Sequence, residues 1–166
     1  MELELNLAHL NCYDTILDDI ISQEETMETI VPDACPDILR IVDTEGVVLL
    51  TGKEIKEGRA EISGVVKATV IYLPDGIKGL RRMEVTIPFK TAVERAAIKP
   101  PCKLVISPRI RNTDTRMLNP RKILTRVDIA AAAKILAPRT AAVCSEIQHG
   151  EKRGMQQRHI EQDAYM

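Results

Sequence analysis

The clearest period in this chain runs through RAEISGVVKATVIYL, from Arg59 to Leu73. Ala60, Ile62, Val66, Ala68, Val70 and Tyr72 share one parity; Arg59, Glu61, Ser63, Lys67 and Thr69 share the other. Sustained alternation of period two predicts a long strand with one buried face. Gly64 falls on the apolar parity, where a bulge or a close neighbouring backbone is expected. Pro74, Asp75 and Gly76 then supply turn chemistry. Alternation resumes in LRRMEVTIPF, with Met83, Val85 and Ile87 set against Arg82, Glu84 and Thr86. The two runs predict a β-hairpin with a longish loop.

Other segments are less decided. Leu3, Leu5 and Leu7 alternate with Glu2, Glu4 and Asn6, which predicts a short strand. TILDDIIS fits a helical turn or a strand, and TMETIVP leans to a strand. TEGVVLLTGKEIKEG is β-rich and punctuated by Gly46, Gly52 and Gly58. KTAVERAAI is ambiguous. CKLVISPRIR is strand-like, and Pro108 within it favours an edge or a bulge. In RKILTRVDIAAAAKIL the alanine run favours helix by propensity. Yet Ile123, Val127, Ile129, Ala131, Ala133 and Ile135 share one parity, so a long strand is predicted. Pro138 is expected to end that element. The polar, Gln-rich remainder reads as an arm whose helix, strand or disorder the sequence does not separate. The expected fold is all-β: an antiparallel β-sandwich-like domain of seven or eight strands over residues 15–137. Arms flank it at 1–14 and 138–166.

Composition narrows the function. The 166 residues suit one domain, which buries roughly 70% of its unfolded surface at this size. Hydrophobic content is 45%, so the chain is not disordered, but aromatics are only 2%. The core must therefore come from Val, Ile, Leu, Ala and Met. Stacking platforms for single-stranded nucleic acid or sugar are nearly absent. Lys and Arg number 23 against 24 Asp and Glu, a net charge of −1, which gives no global pull on nucleic acid or anionic membrane. No apolar run approaches the roughly 20 residues of a membrane span. MELELNLAHL lacks a basic n-region, so no secretory signal is expected.

Candidate chemistry is thin. His9, His149 and His159 all lie in the arms. His9 precedes Cys12 by three, but the local pattern is strand-like and offers no catalytic pair. No phosphate-loop, dinucleotide or zinc-protease motif occurs. Cys12, Cys35, Cys102 and Cys144 are too far apart for a CxxC motif. Reduced thiols are the plain reading in a cytosolic protein. The rival is disulfides between subunits, with Cys12 and Cys144 in the arms as candidates. Catalytic, cofactor-binding and metal residues are therefore expected to be none.

VPDACPDILRIV, residues 31–42, places Asp33 and Asp37 four apart. They lack a nearby base or a ligand cluster, so a cation or acid–base pair is disfavoured. Pro32 and Pro36 fix φ and push Val31 and Cys35 towards extended geometry. Asp33 and Asp37 then read as turn or cap residues, with a short helix or turn near 36–42. Basic residues gather further on at Arg109, Arg111, Arg116 and Arg121. They form either a solvated face or a docking surface for an acidic partner or a neighbouring subunit.

The spaced motifs resemble the SPOCS domain of endospore-forming Firmicutes. IVPDACPDILRIV is similar to the signature at its head. Gly58 to Val66, Val70-Ile71-Tyr72-Leu73, Ile87-Pro88-Phe89 and Asn119 to Ile123 follow in order. The likeness runs from about residue 15 to residue 136. It makes Pro32, Asp33, Pro36, Asp37, Gly58, Gly64 and Tyr72 a fold signature. No LysM-like segment follows, so peptidoglycan binding is not carried over. The resemblance implies a non-enzymatic builder of the spore envelope, in the mother-cell cytoplasm first and in the coat or on the spore surface later. Its partners would be itself or other spore coat proteins, with no nucleic acid and no membrane span. The alternation of Leu3, Leu5 and Leu7 would let the first arm add as a strand to a neighbour. The alternatives are a monomeric adaptor using the basic surface and, more remotely, a ligand-binding β-sandwich or enzyme.

Overall fold

The computed structural model describes residues 4–148. They form six strands: β1 Glu4–Ile30, β2 Ile38–Lys56, β3 Arg59–Pro74, β4 Arg81–Glu94, β5 Lys103–Asn119 and β6 Lys122–Gln148. No helix occurs among the described residues. Two three-stranded sheets result, ordered β1-β6-β5 and β2-β3-β4. The all-β, antiparallel, sandwich-like class is as expected.

Two expectations about elements are corrected. Six strands replace seven or eight, because β1 and β2 run on where breaks were expected. In β2 the irregularity at Gly52 is a register shift between Leu50 and Gly52, not an end. Nor does Pro138 end β6, which continues to Gln148. The pairing of β5 with β6 stops at Leu136. Past that point β6 has no ladder partner on the β5 side, and a missing N–H is tolerated there.

Chain contacts divide the protein into two units: residues 13–138, and residues 1–12 with 139–166. In the larger unit, β3 fulfils its alternation, with Ile62, Val66, Ala68, Val70 and Tyr72 buried. Met83, Val85, Ile87 and Phe89 of β4 join them, and Ile123, Val127 and Ile129 of β6 close the same core. A second cluster gathers Leu17, Ala60, Ile98, Ala133 and Ile135. Each fully buried aliphatic side chain stabilises by about 1.5–3 kcal/mol, so this pattern holds the sheets together. The alanine run lies in β6 because alternation and burial outweigh helix propensity. Acidic β1 and basic β6 meet through Lys122–Glu28, Arg126–Glu24 and Lys134–Asp18, the last at 2.9 Å.

Two glycines are fixed by geometry. Gly58 has φ of 75° in the tight turn between Lys56 and Arg59. A Cβ on Gly64 would stand 2.5 Å from Phe89 Cε1 and 2.6 Å from the Leu49 carbonyl oxygen. The close approach expected at Gly64 is therefore present, and it adjoins the β2 register shift.

In the smaller unit the described strand residues are the ends of β1 and β6, two strands only. Thr140 Oγ1 donates to Asn11 Oδ1 at 3.5 Å. Leu7, Leu10 and Val143 are exposed there.

Candidate functional site

The Pro-Asp stretch forms a corner between β1 and β2. Cys35 N donates to the Pro32 carbonyl oxygen at 2.8 Å, which closes a tight turn. On either side, Val31 N donates to Arg121 O at 2.8 Å and Ile38 N to Pro120 O at 2.9 Å. The corner thus straddles the β5–β6 hairpin, whose two-residue turn is Pro120-Arg121. Asn119 Oδ1 accepts from Arg121 N at 2.9 Å and shapes that turn.

The turn aims the Arg121 guanidinium into the corner. Nη1 donates to Cys35 O at 2.7 Å and to Asp37 Oδ1 at 3.2 Å. Nη2 donates to Val31 O at 3.0 Å and to Asp33 Oδ1 at 3.1 Å. One planar fork therefore serves two carbonyls and two carboxylates. The carboxylates are exposed, so those pairs contribute little. The part-buried carbonyls matter more, because they would otherwise lack a partner.

This corrects the reading of 36–42 as a helix start. Ile38 already lies in β2 and pairs with Pro74, and its N–H is taken by Pro120. Long-range ladder bonds override the local cap signal. Asp33 and Asp37 flank one guanidinium and cap no helix.

Tyr72, of the same signature, is fully buried, and its hydroxyl has no hydrogen-bond partner. Burial pushes its pKa up, and the neighbouring Cys35 thiol pushes the same way.

The four arginines taken as one docking surface separate. Arg121 is committed to the corner, and Arg116 pairs with Asp114 at 3.3 Å. Arg109 and Arg111 are exposed on β5. Leu7 is exposed, while Leu3 and the side chain of Leu5 lie outside the described residues. Cys12 is half-buried and Cys144 exposed, and no disulfide forms among the described residues. A shallow cavity of about 340 Å³ is lined by Ser22, Gln23, Glu24, Arg111, Asp128 and Ile129, away from Asp33 and Asp37. No group of three or more His, Cys, Asp or Glu is placed to hold a metal among the described residues.

Two features were missed in the sequence. Glu61 on β3 is ringed by Arg59 at 2.9 Å, Lys90 at 3.0 Å and Lys56 at 3.6 Å. Its polar parity was legible, but not its three partners. The second is a set of exposed apolar residues around the corner, among them Ile77 and Leu80. Their signal was an apolar pair in DGIKGL, beside glycines at positive φ.

Fold and corner together define an all-β protein: two three-stranded antiparallel sheets, with an arginine clasp where β1 passes to β2. Residues 37–118 match the family model described as SipL, SPOCS domain. The chain is a member of the SPOCS-domain family, which marks it as sporulation-related. The match holds Asp37, Gly58, Gly64 and Tyr72, while Pro32, Asp33, Pro36 and Arg121 fall outside it. No curated protein and no solved structure matches the chain. No helix of the described residues is long and apolar enough to cross a membrane.

Proposed function

We propose that this is a non-enzymatic structural protein of the bacterial endospore coat or surface, self-assembling through its terminal arms. It would be made in the mother-cell cytoplasm and join a filament or lattice of its own copies, with or without other coat proteins. One observation carries the reading. The smaller unit presents two strand ends with Leu7, Leu10 and Val143 exposed. A two-stranded ribbon is marginal in water, and exposed strand edges add to a neighbour's sheet. A head-to-tail contact of that kind propagates. Two further points support a structural role. Asp33 and Asp37 are spent on Arg121, and the family is sporulation-related. The test is removal of residues 1–12, followed by light scattering and negative stain. The shortened chain is expected to stay folded and monomeric; unchanged assembly rules the reading out.

A second reading, an adaptor docking another morphogenetic protein, draws on Arg109 and Arg111. Both are exposed on β5, and neither forms a salt bridge among the described residues. Reversing both charges separates the readings. Loss of a partner with self-association intact favours the adaptor.

A further inference from the structure

The ends of several strands meet at the corner. Asp75 N donates to Asp37 O at 2.9 Å, which ties the β3–β4 loop to it, and Ile38 N reaches Pro120 of the β5–β6 turn. Around this pole six large apolar side chains are exposed: Ile30, Leu39, Ile77, Leu80, Met117 and Leu118. Ile30 is 73% exposed and Leu80 57%. A set of that size at one pole marks an interaction surface more than scattered surface leucines do.

Charge selects the occupant. Arg40, Lys78, Arg81 and Arg82 stand beside these apolar residues, and all four are exposed. None of the four joins a salt bridge among the described residues, unlike Arg116, Arg121, Lys122 and Arg126. Against them stand Asp33 and Asp37, which share Arg121, and the exposed Asp75, so the pole is apolar with cations outnumbering carboxylates. The chain itself holds the complement. No Lys or Arg stands among residues 2–39, and residues 2–7, ELELNL, alternate leucine with Glu2, Glu4 and Asn6. Added as a strand, that sequence would offer one leucine row and one row with two carboxylates to a surface that needs both.

We propose that the pole around the Pro-Asp corner is the acceptor for residues 2–7 of a second copy. The proposal rests on the arm-mediated reading above and supplies the surface that reading lacks. It makes the contact heterologous, arm to pole, so that each copy gives one and receives one.

The test uses the full chain and a synthetic peptide of residues 1–10. Ile77→Asp with Leu80→Asp places charge on an exposed loop, and thermal melting checks the fold. The peptide is expected to bind the wild type, more weakly as salt rises. It is expected to bind the double variant at least tenfold more weakly, and that variant should no longer assemble. If the variant melts early, Lys78→Glu with Arg82→Glu takes its place, with the same expectation. A double variant that assembles like the wild type, while Leu7→Asp does not, overturns the acceptor and leaves the arm reading standing. A wild type that stays monomeric at every concentration overturns both. Vesicles of phosphatidylserine form the third arm. Vesicle binding that the double variant loses while still assembling overturns the proposal in favour of a membrane-facing pole.

Discussion

Arg121 donates from Nη1 to the carbonyl oxygen of Cys35 at 2.7 Å, joining residues 86 apart in the chain. Its other terminal nitrogen takes Val31 O at 3.0 Å, so one side chain ties both ends of the turn, beside the backbone bonds from Val31 N and Ile38 N. Arg121→Ala leaves two part-buried carbonyls without that donor and is expected to cost about 2 kcal/mol. Arg121→Lys keeps the charge but loses the fork, and should recover less than half of that loss. Asp33→Asn and Asp37→Asn remove only exposed partners and should each cost under about 1 kcal/mol, less at high salt. Urea midpoints rank the four variants. Aspartate variants as damaging as Arg121→Ala would show that the carboxylates, and not the carbonyls, hold the corner.

Gly64 faces a different constraint. An alanine Cβ would meet Phe89 Cζ at 2.5 Å and Leu49 O at 2.6 Å. The ring can yield, but the β2 backbone cannot without breaking its ladder beside the register shift. Gly64→Ala is expected to cost about 2–3 kcal/mol. Adding Phe89→Leu should recover only a small part, because the Leu49 carbonyl remains. Full recovery in the double variant, read by thermal or urea unfolding, would mean that the ring alone is the obstacle.

These two positions show what the sequence could and could not disclose. Gly64 announced itself by sitting on the apolar parity of a strand, a local signal. The β3 alternation and the parity of the β6 alanine stretch were equally local, and both became strands. The corner was half legible. Proline geometry marked it, but the partner of Asp33 lies 88 residues away, and no local pattern reaches that far. Lacking that partner, the aspartates read as caps, the usual local use of the residue. Arg121 read as surface charge for the same reason. The exposed pole escaped notice because Ile30, Leu39, Leu80 and Leu118 come from four separate stretches. Only folding sets them around one end.

Tyr72 is fully buried, and its hydroxyl finds no hydrogen-bond partner beside the Cys35 thiol. Its phenol titrates above the ordinary value of 10.0, with burial the leading cause. Removing an unpaired buried hydroxyl removes a desolvation cost, so Tyr72→Phe is expected to stabilise by about 1 kcal/mol. The folded pKa is raised, so the unfolded chain releases the phenolic proton first, and stability falls as pH rises above 10. The phenylalanine variant should lose less on that alkaline limb. A destabilised Tyr72→Phe would reveal a bond to the hydroxyl, through Cys35 or a bridging water.

Glu61 contributes to the acid limb. The Lys90 hydrogen bond is the main force holding its carboxyl below 4.5, and burial opposes it; Lys56 and Arg59 add to the lowering. A folded pKa lower than the unfolded one means that the unfolded chain takes up the proton first as pH falls. The stabilisation is therefore present above the unfolded value and is lost as pH drops through the folded one. Glu61→Gln should flatten the part of the profile that falls as pH drops through and below the ordinary value of 4.5, and leave the Tyr72 limb unchanged. Lys90→Met should act in the same direction by removing the leading cause. Urea midpoints across that range are the measurement. Parallel acid limbs for wild type and Glu61→Gln would show that the cations around Glu61 order its side chain without shifting its titration.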